Sequence, residues 1–131
     1  GFRILVVGGY GNFGARISRR IAAWADAELL VAGRDGARAA SFAAALPGPA
    51  RCRGIALDLD AEHITDTLAS HAPDLVIHTA GPFQGQDYRV ARATLACGAH
   101  YIDLADGRDF VAGFAAAVDA PAQAADRLAV T

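Results

Sequence analysis

Along the chain, short apolar runs rich in β-branched residues alternate with alanine-rich stretches whose larger apolar residues recur at helical spacing. The first run, Ile4-Leu5-Val6-Val7, has no polar interruption, as a strand buried on both faces requires. From Asn12 the period changes. Phe13, Ile17, Ile21 and Trp24 fall on one stripe with Arg16, Arg19 and Arg20 off it, which predicts an amphipathic helix. Leu29 to Ala32 predicts a second strand, and Asp35 is placed to cap a helix that runs to Ala44 and is stopped by Pro47-Gly48-Pro49. Ile55 to Leu57 predicts a third strand. A helix is expected from Asp60, with Ile64 and Leu68 on its inner face, and Leu75 to Ile77 predicts the fourth strand. Ala80-Gly81-Pro82-Phe83 breaks the pattern into a loop; Asp87 is then placed to cap a helix through Cys97, with Gly98 as its left-handed stop. Tyr101-Ile102 predicts a fifth strand. Phe110, Phe114 and Val118 mark a helix that Pro121 is expected to interrupt, and Leu128 to Val130 begins a sixth strand.

Strict strand–helix alternation predicts an α/β protein with a parallel sheet, right-handed crossovers and helices on both faces. The expected arrangement is a doubly wound sheet of order 3-2-1-4-5, with a sixth strand starting near the C-terminus. There is no internal repeat and no linker.

The turn after the first strand carries the most information. Gly8-Gly9-Tyr10-Gly11-Asn12-Phe13-Gly14 contains G-x-G-x-x-G at Gly9, Gly11 and Gly14, between a buried strand and an amphipathic helix. In a Rossmann-type dinucleotide site, Gly9 gives the tight turn, Gly11 presents no Cβ to a pyrophosphate, and Gly14 lets helix and strand pack closely. The N–H groups of the first helical turn, through Tyr10, Asn12 and Phe13, then face the phosphates along the helix dipole. At the end of the second strand an NAD site places a carboxylate for the ribose. Here Gly33-Arg34-Asp35 occupies that place, with Arg38 one helical turn on. Arg34 offers a permanent charge and a planar fork to a 2′-phosphate, so NADP is the expected cofactor over NAD. Asp35 serves either the ribose or the helix start, and the cap is preferred. Arg38 is either a second phosphate ligand or a solvated surface residue. Asp58, after the third strand, is placed to accept from an adenine amino group, to cap the next helix, or both. Ala80, Gly81 and Pro82 leave the fourth strand where the strand order reverses, which lets a nicotinamide ribose approach the backbone.

Composition narrows the chemistry. All 12 basic residues are Arg, so a Walker-type P-loop, a Schiff-base lysine and a Tyr-x-x-x-Lys dyad are excluded within these residues. A net charge of −2 argues against nucleic-acid and anionic-membrane partners, and no apolar run is long enough to span a bilayer. No leader pattern opens the sequence, and a cytoplasmic location is expected. Cys52 and Cys97 make neither a metal cluster nor a disulfide framework and are expected to be reduced. The absence of Met and the closing run Leu128-Ala129-Val130 lead to the expectation of a domain from a longer protein.

Four stretches together resemble the NADP-binding domain of the saccharopine dehydrogenase-like oxidoreductases: Val7 to Gly14, Ala32-Gly33-Arg34-Asp35, Thr79 to Phe83 with Gln86-Asp87-Tyr88, and Ala96 to Gly107. The last, with Gly98-Ala99-His100-Tyr101-Ile102-Asp103, is the most specific. The resemblance covers essentially the whole chain. It implies a two-domain parent whose second domain binds a small-molecule substrate, and hydride transfer at a C–N bond of an amino-acid-derived substrate. A homodimeric parent is the expected assembly, and residues 1–131 alone are expected to bind cofactor without turnover. By position, the resemblance implies pyrophosphate at Gly9 to Phe13, 2′-phosphate at Arg34, adenine at Asp58 and nicotinamide at Ala80 to Pro82.

No catalytic residue is assigned. Asp103 is weighed as a substrate-facing group against a loop carboxylate that caps the helix near Asp109, the latter preferred; His100, Tyr101 and Asp106 are its neighbours. His78 reads as a partly buried strand residue, and His63 with His71 lacks a third metal ligand. The alternative functions are an atypical short-chain-reductase-like protein and a non-catalytic domain that senses NADPH, as in the nucleotide-gated part of a channel or repressor.

Overall fold

The computed structural model describes residues 1–81 and 86–131. Its strands are β1 (Phe2–Val7), β2 (Ala27–Gly33), β3 (Arg51–Ala56), β4 (Leu75–His78), β5 (His100–Asp103) and β6 (Ala129–Val130). They form one six-stranded sheet in the order β3-β2-β1-β4-β5-β6, with every pairing parallel. The order reverses between β1 and β4, so the carboxyl ends of these two strands open a crevice. Between the strands lie α1 (Asn12–Ala22), α2 (Gly36–Ala44), α3 (Ile64–His71), α4 (Arg89–Ala96) and α5 (Arg108–Ala125).

The core has two halves, one on each face of the sheet. Beneath α3, α4 and α5, Leu30, Val76 and Tyr101 meet Leu68, Leu95, Phe110 and Phe114. Beneath α1 and α2, Leu29 and Val31 meet Ile21, Ala39 and Ala43. On this second face the cover thins beyond β1: Ile77 and Ile102 are only half-buried, and Val130 is exposed.

The predicted inner stripe of α1 is only partly the buried one. Ile21 is buried and Ile17 half-buried, but Phe13 is 65% and Trp24 54% exposed. The face against the sheet is made instead of Gly14, Ala15, Ser18, Ile21 and Ala22. Close approach selects small residues: a Cβ at Gly14 would overlap the Gly8 carbonyl. The bulky residues of the stripe are therefore turned aside.

The helix expected from Asp60 begins at Ile64, because Asp58 Oδ1 accepts from the Asp60 N–H at 2.9 Å and turns the chain first. Ile64 and Leu68 are buried as expected. Asp87 accepts from the Arg89 N–H at 3.0 Å, Tyr88 takes the cap position, and Gly98 adopts φ 85° beyond α4. Pro121 does not interrupt α5, which continues to Ala125.

Candidate functional site

The chain leaves β1 at Gly8, whose φ of 75° places the left-handed turn one residue before Gly9. Gly9 is instead a packing glycine: a Cβ there would lie 2.9 Å from both Val31 Cγ1 and the Val6 carbonyl oxygen. Its own carbonyl accepts from the buried Ser18 hydroxyl at 2.9 Å. Thr79, at the end of β4, donates to the Val7 carbonyl at 2.7 Å, which pins the turn to the neighbouring strand. Gly11 differs from both. A Cβ at this position meets only the Gly8 carbonyl oxygen, at 3.3 Å, and otherwise points into open space.

Gly11 is also the N-cap of α1; among the described residues no side chain caps the helix, and its first turn holds no acid. The first-turn N–H groups and the positive end of the helix dipole are thus left for an anion. From this turn a groove of about 620 Å³ runs along the carboxyl edge of the sheet. Of the sequence-predicted residues, Tyr10, Gly11, Arg34, Ala80 and Gly81 line it. Gly9 and Gly14 lie buried beneath it, Asn12 and Phe13 sit exposed on the first turn of α1, and Pro82 falls outside the described residues.

Asp35 is the α2 cap: its carboxylate accepts from the Arg38 N–H at 3.0 Å. Arg34 extends over the groove to Asp60, with Nη2 and Oδ2 3.0 Å apart and the side chains 77% and 75% exposed. Such a pair contributes about 1 kcal/mol at most, so a ligand anion can displace the carboxylate. Arg38 lies with Cζ 4.7 Å from the centroid of the Tyr10 ring. Asp58 is exposed and caps no helix, since α3 begins after His63 without a side-chain cap. Its neighbour Asp60 lines the groove together with Leu57 and Leu59.

Sequence reasoning missed Asp60, Gln86 and Arg89 on the groove wall. The Asp58-x-Asp60 spacing is a signal for the first, as an Asx turn that swings the second acid back over the strand ends. Nothing in the local pattern announces Gln86. It is found through His78: Ala80 N–H donates to His78 Nδ1 at 3.3 Å, His78 Nε2 meets Gln86 Oε1 at 3.3 Å, and Gln86 Nε2 donates to the Ala80 carbonyl at 3.0 Å. Because the backbone N–H occupies Nδ1, the imidazole proton sits on Nε2. Burial pulls the pKa of His78 below its ordinary 6.5, against the opposing effects of the Gln86 hydrogen bond and the Asp103 charge. This closed ring ties Ala80 on the crevice to Gln86 across the groove wall.

Asp103 neither caps α5, whose N-cap is Gly107, nor lines the groove. It is 4% exposed and accepts from the Tyr101 hydroxyl and the Thr131 hydroxyl, each at 2.7 Å, and from the Ala105 N–H at 3.0 Å. A buried carboxylate needs such donors, and here they lock the end of β5. Burial, then the hydrogen bond and charge of Asp103, raise the Tyr101 phenol far above its usual range and keep it protonated. Among the described residues no group of His, Cys, Asp or Glu is arranged to hold a metal ion, and no helix is long and apolar enough to cross a membrane.

Residues 4–129 match a family model described as the saccharopine dehydrogenase NADP binding domain. A saccharopine dehydrogenase (L-Glu forming) from Saccharomyces cerevisiae shares the fold, with a TM-score of 0.61 and 23% identity over 79% of this chain and 21% of that one. An NAD binding oxidoreductase from Klebsiella pneumoniae gives a TM-score of 0.62 and 22% identity over 99% of this chain and 34% of that one. An ADP-L-glycero-D-manno-heptose-6-epimerase from Helicobacter pylori gives 0.60 and 15%, over 78% of this chain and 38% of that one. The chain thus spans a fifth to about two fifths of the length of these structures. A search of curated proteins finds no match.

Proposed function

Since this chain belongs to the saccharopine dehydrogenase NADP-binding domain family, we propose that it binds NADP in preference to NAD, as the dinucleotide-binding part of an oxidoreductase acting on C–N bonds of amino-acid-derived substrates. The observation that carries the reading is the groove itself, which leads from the start of α1 at Gly11 to Arg34 beyond Gly33, with Arg38 on the Tyr10 ring that lines it. Its chemistry fits the cofactor at each end. At Gly11 the absent Cβ leaves room for a diphosphate against the first-turn N–H groups. At the other end Gly33 supplies no carboxylate to repel a 2′-phosphate, and Arg34 and Arg38 stand beside it.

When bound, the dinucleotide supplies the hydride. The residues of this chain hold and orient it. Tyr10 to Phe13 take the diphosphate above the buried Gly9, Arg34 and Arg38 the 2′-phosphate, Asp58 the adenine side, and Ala80 and Gly81 the nicotinamide side, with Ala80 fixed by the His78–Gln86 ring. His78, Tyr101 and Asp103 are spent on internal hydrogen bonds and lie off the groove. The proton donor and the groups that hold the substrate carboxylates are therefore assigned to a second domain of the parent protein, which is read as cytoplasmic and homodimeric.

Calorimetric titration with NADPH and NADH, before and after Arg34→Ala, tests this reading. A charged hydrogen bond contributes about 1.5–3 kcal/mol, so the unsubstituted protein should favour NADPH by about tenfold or more, and the substitution should narrow the gap. Equal affinities at the outset would remove the 2′-phosphate site.

A further inference from the structure

The two arginines that follow β2, Arg34 in the loop and Arg38 in the first turn of α2, keep different company. Arg34 lines the groove and is paired across it with Asp60, whereas Arg38 stands behind the groove-lining Tyr10 ring. Among the described residues no carboxylate pairs with the Arg38 guanidinium, which lies instead over Tyr10. Tyr10 is itself held twice. Its ring packs onto Gly33 so closely that a Cβ there would overlap ring atoms, and its hydroxyl accepts from the Asp35 N–H at 3.2 Å. Asp35 then fixes the start of α2 through the Arg38 N–H. Tyr10, Gly33, Asp35 and Arg38 thus form one unit, in which the glycine turn after β1 grips the loop after β2.

We propose that Tyr10 is a specificity-determining positioning residue, whose ring, seated on Gly33, holds the Arg38 guanidinium at the place of the 2′-phosphate, so that discrimination between NADP and NAD runs through Arg38 more than through Arg34. The inference rests on the NADP reading above and adds which residues carry it. A guanidinium resting on an aromatic face keeps its N–H edge free for an anion. It is also restrained before the ligand arrives, so less side-chain freedom is lost on binding. Arg34 has first to give up Asp60. Gly33 gains a second role: besides lacking a carboxylate, it makes the space that Tyr10 fills.

Adenosine 2′,5′-bisphosphate and 5′-AMP differ only in the 2′-phosphate and leave the nicotinamide end out of the measurement. Their affinities are compared by calorimetry for the unsubstituted protein and for Tyr10→Ala, Tyr10→Phe, Arg38→Met and Arg34→Met. Arg38→Met should cut the preference for the bisphosphate by about tenfold and Tyr10→Ala by about two- to fivefold, and the double variant should cut it no further than Arg38→Met alone. Tyr10→Phe keeps the ring and should keep the preference, while Arg34→Met should cost less than Arg38→Met. If Tyr10→Ala fails to fold by circular dichroism, Tyr10→Leu replaces it, since it covers Gly33 without a π-face, and the same loss is expected. A preference that survives in the folded Tyr10 variant, or one that falls mainly with Arg34→Met, overturns the inference and leaves the NADP site standing. No preference in the unsubstituted protein overturns both.

Discussion

Arg92 on α4 donates through Nε to the carbonyl oxygen of Ala117 on α5 at 3.3 Å. Ala117 lies one helical turn before Pro121, and proline has no N–H to return to that carbonyl. The acceptor that proline strands is therefore taken up from the neighbouring helix, and α5 continues to Ala125. Buried or half-buried carbonyls need a partner wherever it comes from, and the packing of α4 on α5 supplies this one.

This pairing predicts coupling between the two positions. Arg92→Met should cost about 1 kcal/mol in urea unfolding, the net value of one hydrogen bond. With Pro121→Ala, the new N–H at position 121 takes the Ala117 carbonyl, and the same Arg92 substitution should cost close to nothing. Equal costs in both backgrounds would show that Arg92 does not compensate for the proline.

The glycines of the turn should separate folding from binding. Gly11→Ala adds a Cβ with a single neighbour at 3.3 Å, on a backbone of φ −76° that alanine accepts. Its stability should stay within about 0.5 kcal/mol of the starting protein, while NADPH affinity falls by about tenfold or more as the diphosphate is pushed off the helix start. Gly14→Ala drives a Cβ into the Gly8 carbonyl, and should cost about 1–3 kcal/mol of stability as well as binding. Urea unfolding and calorimetry on the same samples read both quantities; unchanged NADPH binding by Gly11→Ala would place the diphosphate elsewhere.

His78 should make stability fall in mild acid. Its pKa is depressed in the folded protein, so between that value and the ordinary 6.5 the unfolded chain binds the proton and the native state does not. The contribution is full above pH 6.5 and is lost as pH falls below it towards the folded value. His71 is depressed in the same direction, by partial burial and by the Arg53 and Arg3 charges, and adds to the slope. His78→Gln should flatten the fall measured by urea unfolding between pH 7.5 and pH 5.5, leaving the part due to His71. An unchanged slope would mean that His78 takes up its proton at the same pH in the folded and the unfolded chain.

The alternation of period along the chain was enough for the parallel sheet and the approximate place of every strand, because burial on two faces demands unbroken apolar runs and the connections between them must be helical, whereas the order came with the doubly wound arrangement expected around the glycine turn. The glycine pattern, the Asp35 cap and the Gly98 stop were legible for the same kind of reason: each is a local backbone requirement that few residue types meet. Three things were decided only in three dimensions. Which side of α1 faces the sheet depended on how closely Gly14 could approach Gly8, and this turned Phe13 and Trp24 outward. How the carbonyl that Pro121 strands finds a donor depended on Arg92, nearly thirty positions away in the chain, being within reach of Ala117. The company of the arginines depended on Tyr10 and Asp60 arriving from other loops. Local propensity and periodicity are properties of neighbours in sequence, whereas a partner for a stranded carbonyl or a guanidinium is a property of neighbours in space.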